Sequence, residues 1–206
     1  IRLALFLNFF ATVTQGPICR AGALLPQLSA EHRFDAARTV RALRLYALGL
    51  FKYIAVADVL EQHGLDARVL SAVEMNKFTE YFTRDRADRY LNEGKVVIFA
   101  AGTGNPYFST DTGAVLRGVE IEADAVLMAK NIDAIYSADP RTNPDAVRYS
   151  HLTYDKVLAD HLKATDSTAM TLAMDNHMPM VCFALNPPEN ILRVVRGEEI
   201  GTTVTI

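Results

Sequence analysis

The sequence predicts an α/β fold, a mostly parallel sheet with helices on both faces, and three observations carry that prediction. From Tyr53 onward, strand-like and helix-like segments alternate. Two of the strand-like segments, Lys95–Ala101 and Ala125–Ala129, are short, nearly continuous apolar runs of the kind a parallel sheet buries. Gly64 and Gly94 stand where helical periodicity ends. Alternating β and α units bury their apolar faces best in this layered arrangement.

Taken in order, residues Tyr53–His63 read as a helix stopped by Gly64, and Asp66–Ala72 as a strand. Glu80–Glu93 reads as a charged amphipathic helix with Tyr81, Phe82, Ala87, Tyr90 and Leu91 as its apolar positions. After the run Lys95–Ala101 comes a glycine-containing loop, then a helix from about Thr112 to Ala123 and the strand Ala125–Ala129. Val147–His151 reads as a short edge strand, followed by helices near Tyr154–Leu162 and Ser167–His177. Pro179–Ala184 is strand-like, Glu189–Val195 helical and Thr202–Ile206 a last strand. Residues 1–52 differ in texture: Gly-Pro, Leu-Pro and an Arg/Ala/Leu-rich helix over Asp35–Phe51, with no strand leading into a glycine loop. The expected division is therefore 1–52 and 53–206.

Composition narrows the function classes. Half of the 206 residues are apolar, which suffices for a real core. No run reaches the roughly 18 apolar residues of a bilayer span, and the apolar opening Ile1–Phe10 is short, with no clear small-residue cleavage site after it. Cys19 and Cys182 are far apart and the five histidines are scattered, so neither a disulfide framework nor a metal site is expected. Residues 1–52 carry six Arg and one Lys against Glu31 and Asp35, a balance of +5, and the remainder carries −8, giving the net −3. Those basic residues are spread among Ala and Leu without forming a patch, so nucleic acid is not an expected partner.

Three segments carry chemistry. The first is AAGTGNPYFSTDT, residues 100–112, at the C-terminal end of an apolar strand and leading into a helix. That is where ligands bind in open α/β sheets. Gly102 and Gly104 let backbone N–H groups approach an anion, and Thr103, Ser109 and Thr110 add hydroxyls. Asn105 before Pro106 is biased to an extended conformation, and Asp111 or Thr110 is the expected helix N-cap. The residues alone fit either a phosphate-binding loop or a tight strand-to-helix turn.

The second segment is LMAKNIDAIYSADP, residues 127–140, which delivers Lys130 and Asn131 at the end of the next apolar strand. Lys130 suits a phosphate as a point charge. Tyr136 suits a base, and Asp139 before Pro140 suits a ribose or amine. A solvated strand-end lysine and a simple turn fit equally well. The third is ATDSTAMTLAMDN, residues 164–176, where Asp166 reads first as an N-cap. With lysines nearby it also suits a carboxylate that orients cations around a transferring phosphoryl group.

In order and spacing, these three segments resemble the bacterial uridylate (UMP) kinases of the amino-acid-kinase superfamily. SAVEMNKFTEYFTRDRADRYLNEGKVVIFAAGTGNP and FALNPPENILRVVRGEEIGTTV extend the resemblance, which runs from about Tyr53 to the C-terminus. It implies an amino-acid-kinase-like three-layer α/β/α fold with an atypical N-terminal part, and transfer of the ATP γ-phosphoryl group to UMP with Mg²⁺. A cytoplasmic homohexamer tuned by GTP and UTP is implied as well. Carried over by motif, Thr103, Gly104, Asn105, Pro106, Tyr107, Phe108, Ser109 and Thr110 would hold UMP. Lys130, Asn131, Tyr136 and Asp139 would line the ATP site. Asp166 and Lys130 would be catalytic, with Asp166 organising the lysines.

The family's Lys-Leu-Ser-Gly-Glu and Gly-Gly-Gly-Asn loops are absent from residues 1–52, where Gly16-Pro-Ile-Cys-Arg20 has only a single glycine. A reading-frame change upstream of Tyr53 or a diverged N-terminus would each account for this. The alternatives to a UMP kinase are a non-catalytic nucleotide binder on the same fold and another small-molecule kinase of the superfamily.

Overall fold

The computed structural model describes residues 40, 54–77, 79–105, 107–162 and 165–206. It divides into two compact units, Ile1–Phe108 and Ser109–Ile206. Of the helix expected over Asp35–Phe51, only Val40 is described, and it is helical; the expected boundary at 52/53 also lies outside the described residues.

In the first unit, residues 54–62 form helix α1 and Gly64 ends its last turn at φ +80°. Strands β1 (Ala67–Ser71), β2 (Glu80–Tyr81) and β3 (Val96–Ala100) make a sheet of order β2-β1-β3, parallel throughout. Helix α2 spans Arg84–Asn92. It starts later than the charge pattern suggested, because Thr83 is its cap: the Thr83 hydroxyl accepts from the Arg86 N–H at 3.3 Å. Glu80 and Tyr81 instead pair with β1, and the Glu80 carboxylate accepts from the Tyr90 hydroxyl at 2.8 Å. The β3 run, expected to be buried on both faces, is exposed at Val96, half-buried at Val97–Phe99 and buried only at Ala100.

Helices α3 (Thr110–Glu120), α4 (Tyr154–Ala159), α5 (Ser167–Asp175) and α6 (Glu189–Val195) belong to the second unit. Its four-stranded sheet runs β4-β8-β9-β7, from β4 (Val126–Lys130) and β8 (Met180–Ala184) to β9 (Thr202–Thr205) and β7 (His151–Thr153). β4 and β8 are parallel, as are β7 and β9, while β8 and β9 run antiparallel. The last strand thus makes the sheet mixed. A Cβ on Gly201 would collide with the Cys182 carbonyl, so only glycine lets the chain enter β9 here.

Among the described residues β4 is the outermost strand of this sheet, and it alternates, with Val126 and Met128 buried and Leu127 and Ala129 exposed, although its sequence is a nearly unbroken apolar run. The buried side joins Val115, Ile135, Met170, Met180 and Val204 in one core. Each such fully buried side chain is worth about 1.5–3 kcal/mol over leaving it in water. A ribbon of β5 (Ile135–Tyr136) and β6 (Arg148–Tyr149), antiparallel, hangs on this sheet through the buried Thr202. The Thr202 hydroxyl donates to the Tyr149 carbonyl at 2.6 Å and accepts from the Ile135 N–H at 2.8 Å. Tyr154 at the start of α4 is buried and donates to the Met178 carbonyl at 2.5 Å; burial pushes its phenol up to about 12.

Candidate active site

In the second unit, two helix N-termini and the end of β4 contribute to one polar cluster. Ser109, at φ −78° and ψ 168°, caps α3 by accepting from the Thr112 N–H at 3.1 Å. The cap is therefore Ser109 rather than Asp111 or Thr110. Its extended backbone places the hydroxyl three residues ahead of a free amide. Asp166 caps α5, accepting from the Ala169 N–H at 2.9 Å. The same carboxylate accepts from the Thr112 hydroxyl at 3.0 Å and from the Ser109 hydroxyl. Asp166 therefore ties the first turns of α3 and α5 together.

Burial alone would raise the Asp166 carboxyl. Donation from Ser109, the Ala169 amide, Thr112 and the Thr168 amide outweighs it and holds the group below its ordinary value of 3.8. Its hydrogen-bond partners among the described residues are hydroxyls and amides, not lysines. Lys163, the nearest lysine in sequence, lies outside the described residues.

The cation of the cluster is paired elsewhere. Lys130, the last residue of β4, donates from Nζ to the Asp111 carboxylate, which also accepts from the Thr165 hydroxyl at 2.7 Å. Parallel β8 carries Ala184 beside Lys130, and the Leu185 N–H donates to the Lys130 carbonyl at 2.7 Å, so the backbone beneath the lysine is fixed. Cys182 is buried on β8, and burial pushes its thiol up to about 11, with Lys130 opposing the rise and Asp111 adding to it. Such a thiol is inert at neutral pH.

Two cavities adjoin the cluster. One of about 570 Å³ is lined by residues that include Lys130, Asn131, Tyr136, Asp139 and Arg141 and also His161 and Leu162. The other, of about 430 Å³, is lined by Asp111, Thr165, Asp166 and Ser167 together with the apolar Val157 and Met170. His161 and Leu162 line both. The larger cavity gathers all four residues the sequence grouped for a nucleotide. Tyr136 donates to the Asp133 carboxylate at 3.0 Å, and burial with that acceptor raises its phenol. The Asp139 side chain accepts from the Arg141 N–H at 2.9 Å, so it builds the turn as well as facing the cavity.

The glycine loop belongs to the first unit as far as Phe108. Gly104 is required there: its φ is +74°, and a Cβ would stand 2.8 Å from the Ala72 carbonyl oxygen. The Thr103 hydroxyl accepts from the Asn105 N–H at 3.2 Å, and the Asn105 side-chain amide donates to the Thr103 carbonyl at 3.2 Å. Tyr107, at φ +70°, and Phe108 are exposed, and Pro106 lies outside the described residues. Thr110 opens α3 and is exposed. Asp111, Thr112 and Thr165 are the residues that sequence reasoning did not assign to the site. Their only signal was membership of the same motifs, because their partners lie 19 and 54 positions away in the chain.

A strand end bearing a lysine, two capped helix N-termini and an adjoining cavity of nucleotide size make a class of site suited to phosphorylated ligands. The profile of the Amino acid kinase family matches residues 44–184, beginning upstream of Tyr53. The chain belongs to that family. Over 152 residues it is 51% identical to the uridylate kinase of Oenococcus oeni, a match covering 73% of this chain and 63% of that protein. The chain thus spans less than two thirds of the length of that curated relative. The UMP kinase structure from Ureaplasma parvum aligns with a TM-score of 0.73 at 32% identity, over 77% of this chain and 68% of the other. That from Bacillus anthracis gives 0.72 at 31%, over 76% and 65%.

Proposed function

We propose that this chain is a UMP kinase, transferring the γ-phosphoryl group of ATP to UMP. The observation that carries the reading is the placing of Lys130, Asn131, Tyr136 and Asp139 around one cavity of about 570 Å³, in a family member with half-identical uridylate kinase kin. ATP occupies that cavity, with Tyr136 and Asp139 toward the nucleoside and Lys130 toward the phosphates. UMP is received by the loop Thr103–Thr110, whose Gly104 and hydroxyls suit an anionic acceptor. Asp166 keeps the Ser109 and Thr112 hydroxyls and the first turn of α5 oriented. Phosphoryl transfer asks for positioning and charge compensation more than covalent help, which a site of amides, hydroxyls and a lysine supplies.

Mg²⁺ neutralises charge on the transferring phosphates in such chemistry. Among the described residues there is no group of three or more His, Cys, Asp or Glu side chains fit to hold a metal ion. Asp111 and Asp166 do line one cavity, which fits an ion that arrives on the nucleotide and takes one or two carboxylates from the protein. A homohexamer, GTP and UTP as effectors, a cytoplasmic setting and the absence of a nucleic-acid partner complete the reading. Among the described residues no helix is long and apolar enough to cross a membrane.

The test is ADP release by the 206-residue chain with ATP, Mg²⁺ and each nucleoside monophosphate in turn, with Asp166→Ala as the control. Turnover on UMP alone, lost in the variant, supports the reading; preference for another acceptor overturns it. A second reading, nucleotide binding without transfer, is favoured by the lack of a Lys-Leu-Ser-Gly-Glu loop in residues 1–52. ATP and UMP binding without any ADP release would select it.

A further inference from the structure

Lys130 faces the larger cavity, while its partner Asp111 and Asp111's second partner Thr165 face the smaller one. A lysine side chain has four rotatable bonds and loses much freedom when held in one pose. Here it is held by a chain of two contacts: the Thr165 hydroxyl donates to the Asp111 carboxylate at 2.7 Å, and that carboxylate accepts from Lys130. Both charged side chains are mostly covered, at 21% and 23% exposure, so the pair is less screened than a surface ion pair. Thr165 is placed for this by Asp166, the next residue, which is anchored as the cap of α5 and bonded to Thr112. Asp111 sits one residue before Thr112 on the first turn of α3. One short stretch of each helix therefore fixes both the Asp166 carboxylate and the lysine.

We infer that Thr165 and Asp111 are positioning residues, which hold the Lys130 ammonium in a single pose at the wall of the larger cavity. Thr165 and Lys130 donate to the same Asp111 oxygen, Oδ2, so deleting the Thr165 hydroxyl removes one of its two donors and lets the carboxylate rotate away from Lys130. A threonine-to-serine change keeps the donor and the contact. This inference rests on the ATP reading only for its purpose, because the positioning itself is a property of the ligand-free protein.

The experiment acylates the full chain with an amine-reactive acetyl ester, without and with ATP, and quantifies Lys130 by peptide mass spectrometry. Lys156, which is paired with Asp160 on α4, serves as the internal reference. In ligand-free protein, Asp111→Asn and Thr165→Val should each speed Lys130 labelling relative to Lys156 by about fivefold, the size of one lost hydrogen bond. Thr165→Ser should stay within about twofold of the parent, a merely structural disturbance being unable to sort valine from serine by their donors. Unchanged Lys130 labelling in Thr165→Val, equal labelling in the serine and valine variants, or parallel acceleration at Lys156 overturns the inference. The ATP arm answers separately: failure of ATP to protect Lys130 in the parent removes the ATP reading and leaves the ligand-free result to decide the positioning.

Discussion

The two units spend their apolar residues differently. In Ser109–Ile206 a sheet, helices α3, α4 and α5 and a ribbon close on one cluster in which Val115, Ile135, Met180, Ala169 and Val204 are all but inaccessible. Among the described residues of the first unit, burial is confined to small or isolated positions such as Ala67, Leu70, Ala87 and Ala100, and β3 is half-open along its length. Charge fills the place that packing leaves there. Arg89 and Lys95 lie 5.0 and 5.1 Å from the Tyr90 ring centroid, and Lys95 pairs with Glu93 at 2.7 Å. The polar cluster of Ser109, Asp111, Lys130, Thr165 and Asp166 is built where the core is dense. Side chains that must keep a pose are best carried on elements whose own rotamers are locked.

The largest expected break comes from the core of the second unit. Met180→Ala should cost about 2–5 kcal/mol, whereas Val97→Ala on half-buried β3 should cost about 1 kcal/mol; urea midpoints at constant slope measure both. Equal losses would erase the contrast. Thr202→Val comes next. It strips the buried Ile135 N–H and Tyr149 carbonyl of their partner, at about 2–3 kcal/mol, and should speed amide exchange at Ile135 first. Smaller is Asp166→Ala, in which α5 loses its cap for about 1 kcal/mol of stability.

Asp166→Asn keeps a capping oxygen and isolates the charge. Because the folded carboxyl is held below its ordinary value, its ionised form adds stability that is fully present above the ordinary carboxylate range. That stability is lost as pH falls through the lowered folded value. Melting temperature against pH should therefore fall less steeply on the acid side in Asp166→Asn than in the parent. The smallest effect is expected at the exposed Arg193–Glu198 pair, where Arg193→Ala should leave the urea midpoint within error.

Much of this was legible in the sequence where a local rule decides. Helix α6 has the bounds its pattern implied, β8 lies within Pro179–Ala184, and Asp166 caps α5. Gly104 sits at a left-handed backbone, a requirement the sequence reading did not name. The misses have physical causes. Two-residue strands such as β2 and β5 are too short to show a period. The start of α2 is set by the Thr83 cap, while Glu80 and Tyr81 before it pair with β1. Lys130 was recognisable as a strand-end cation, yet its tie to Asp111 and through it to Thr165 joins residues far apart in the chain. Periodicity cannot report such contacts.

The most direct measurement of the central claim, that the cavity beside Lys130 receives the phosphate donor, is hydrogen exchange with and without a non-hydrolysable ATP analogue. The account predicts slowed exchange in peptides covering residues 130–141 and 165–170, with helix α2 unchanged. Protection confined to other segments, leaving 130–141 as fast as in the free protein, would contradict it.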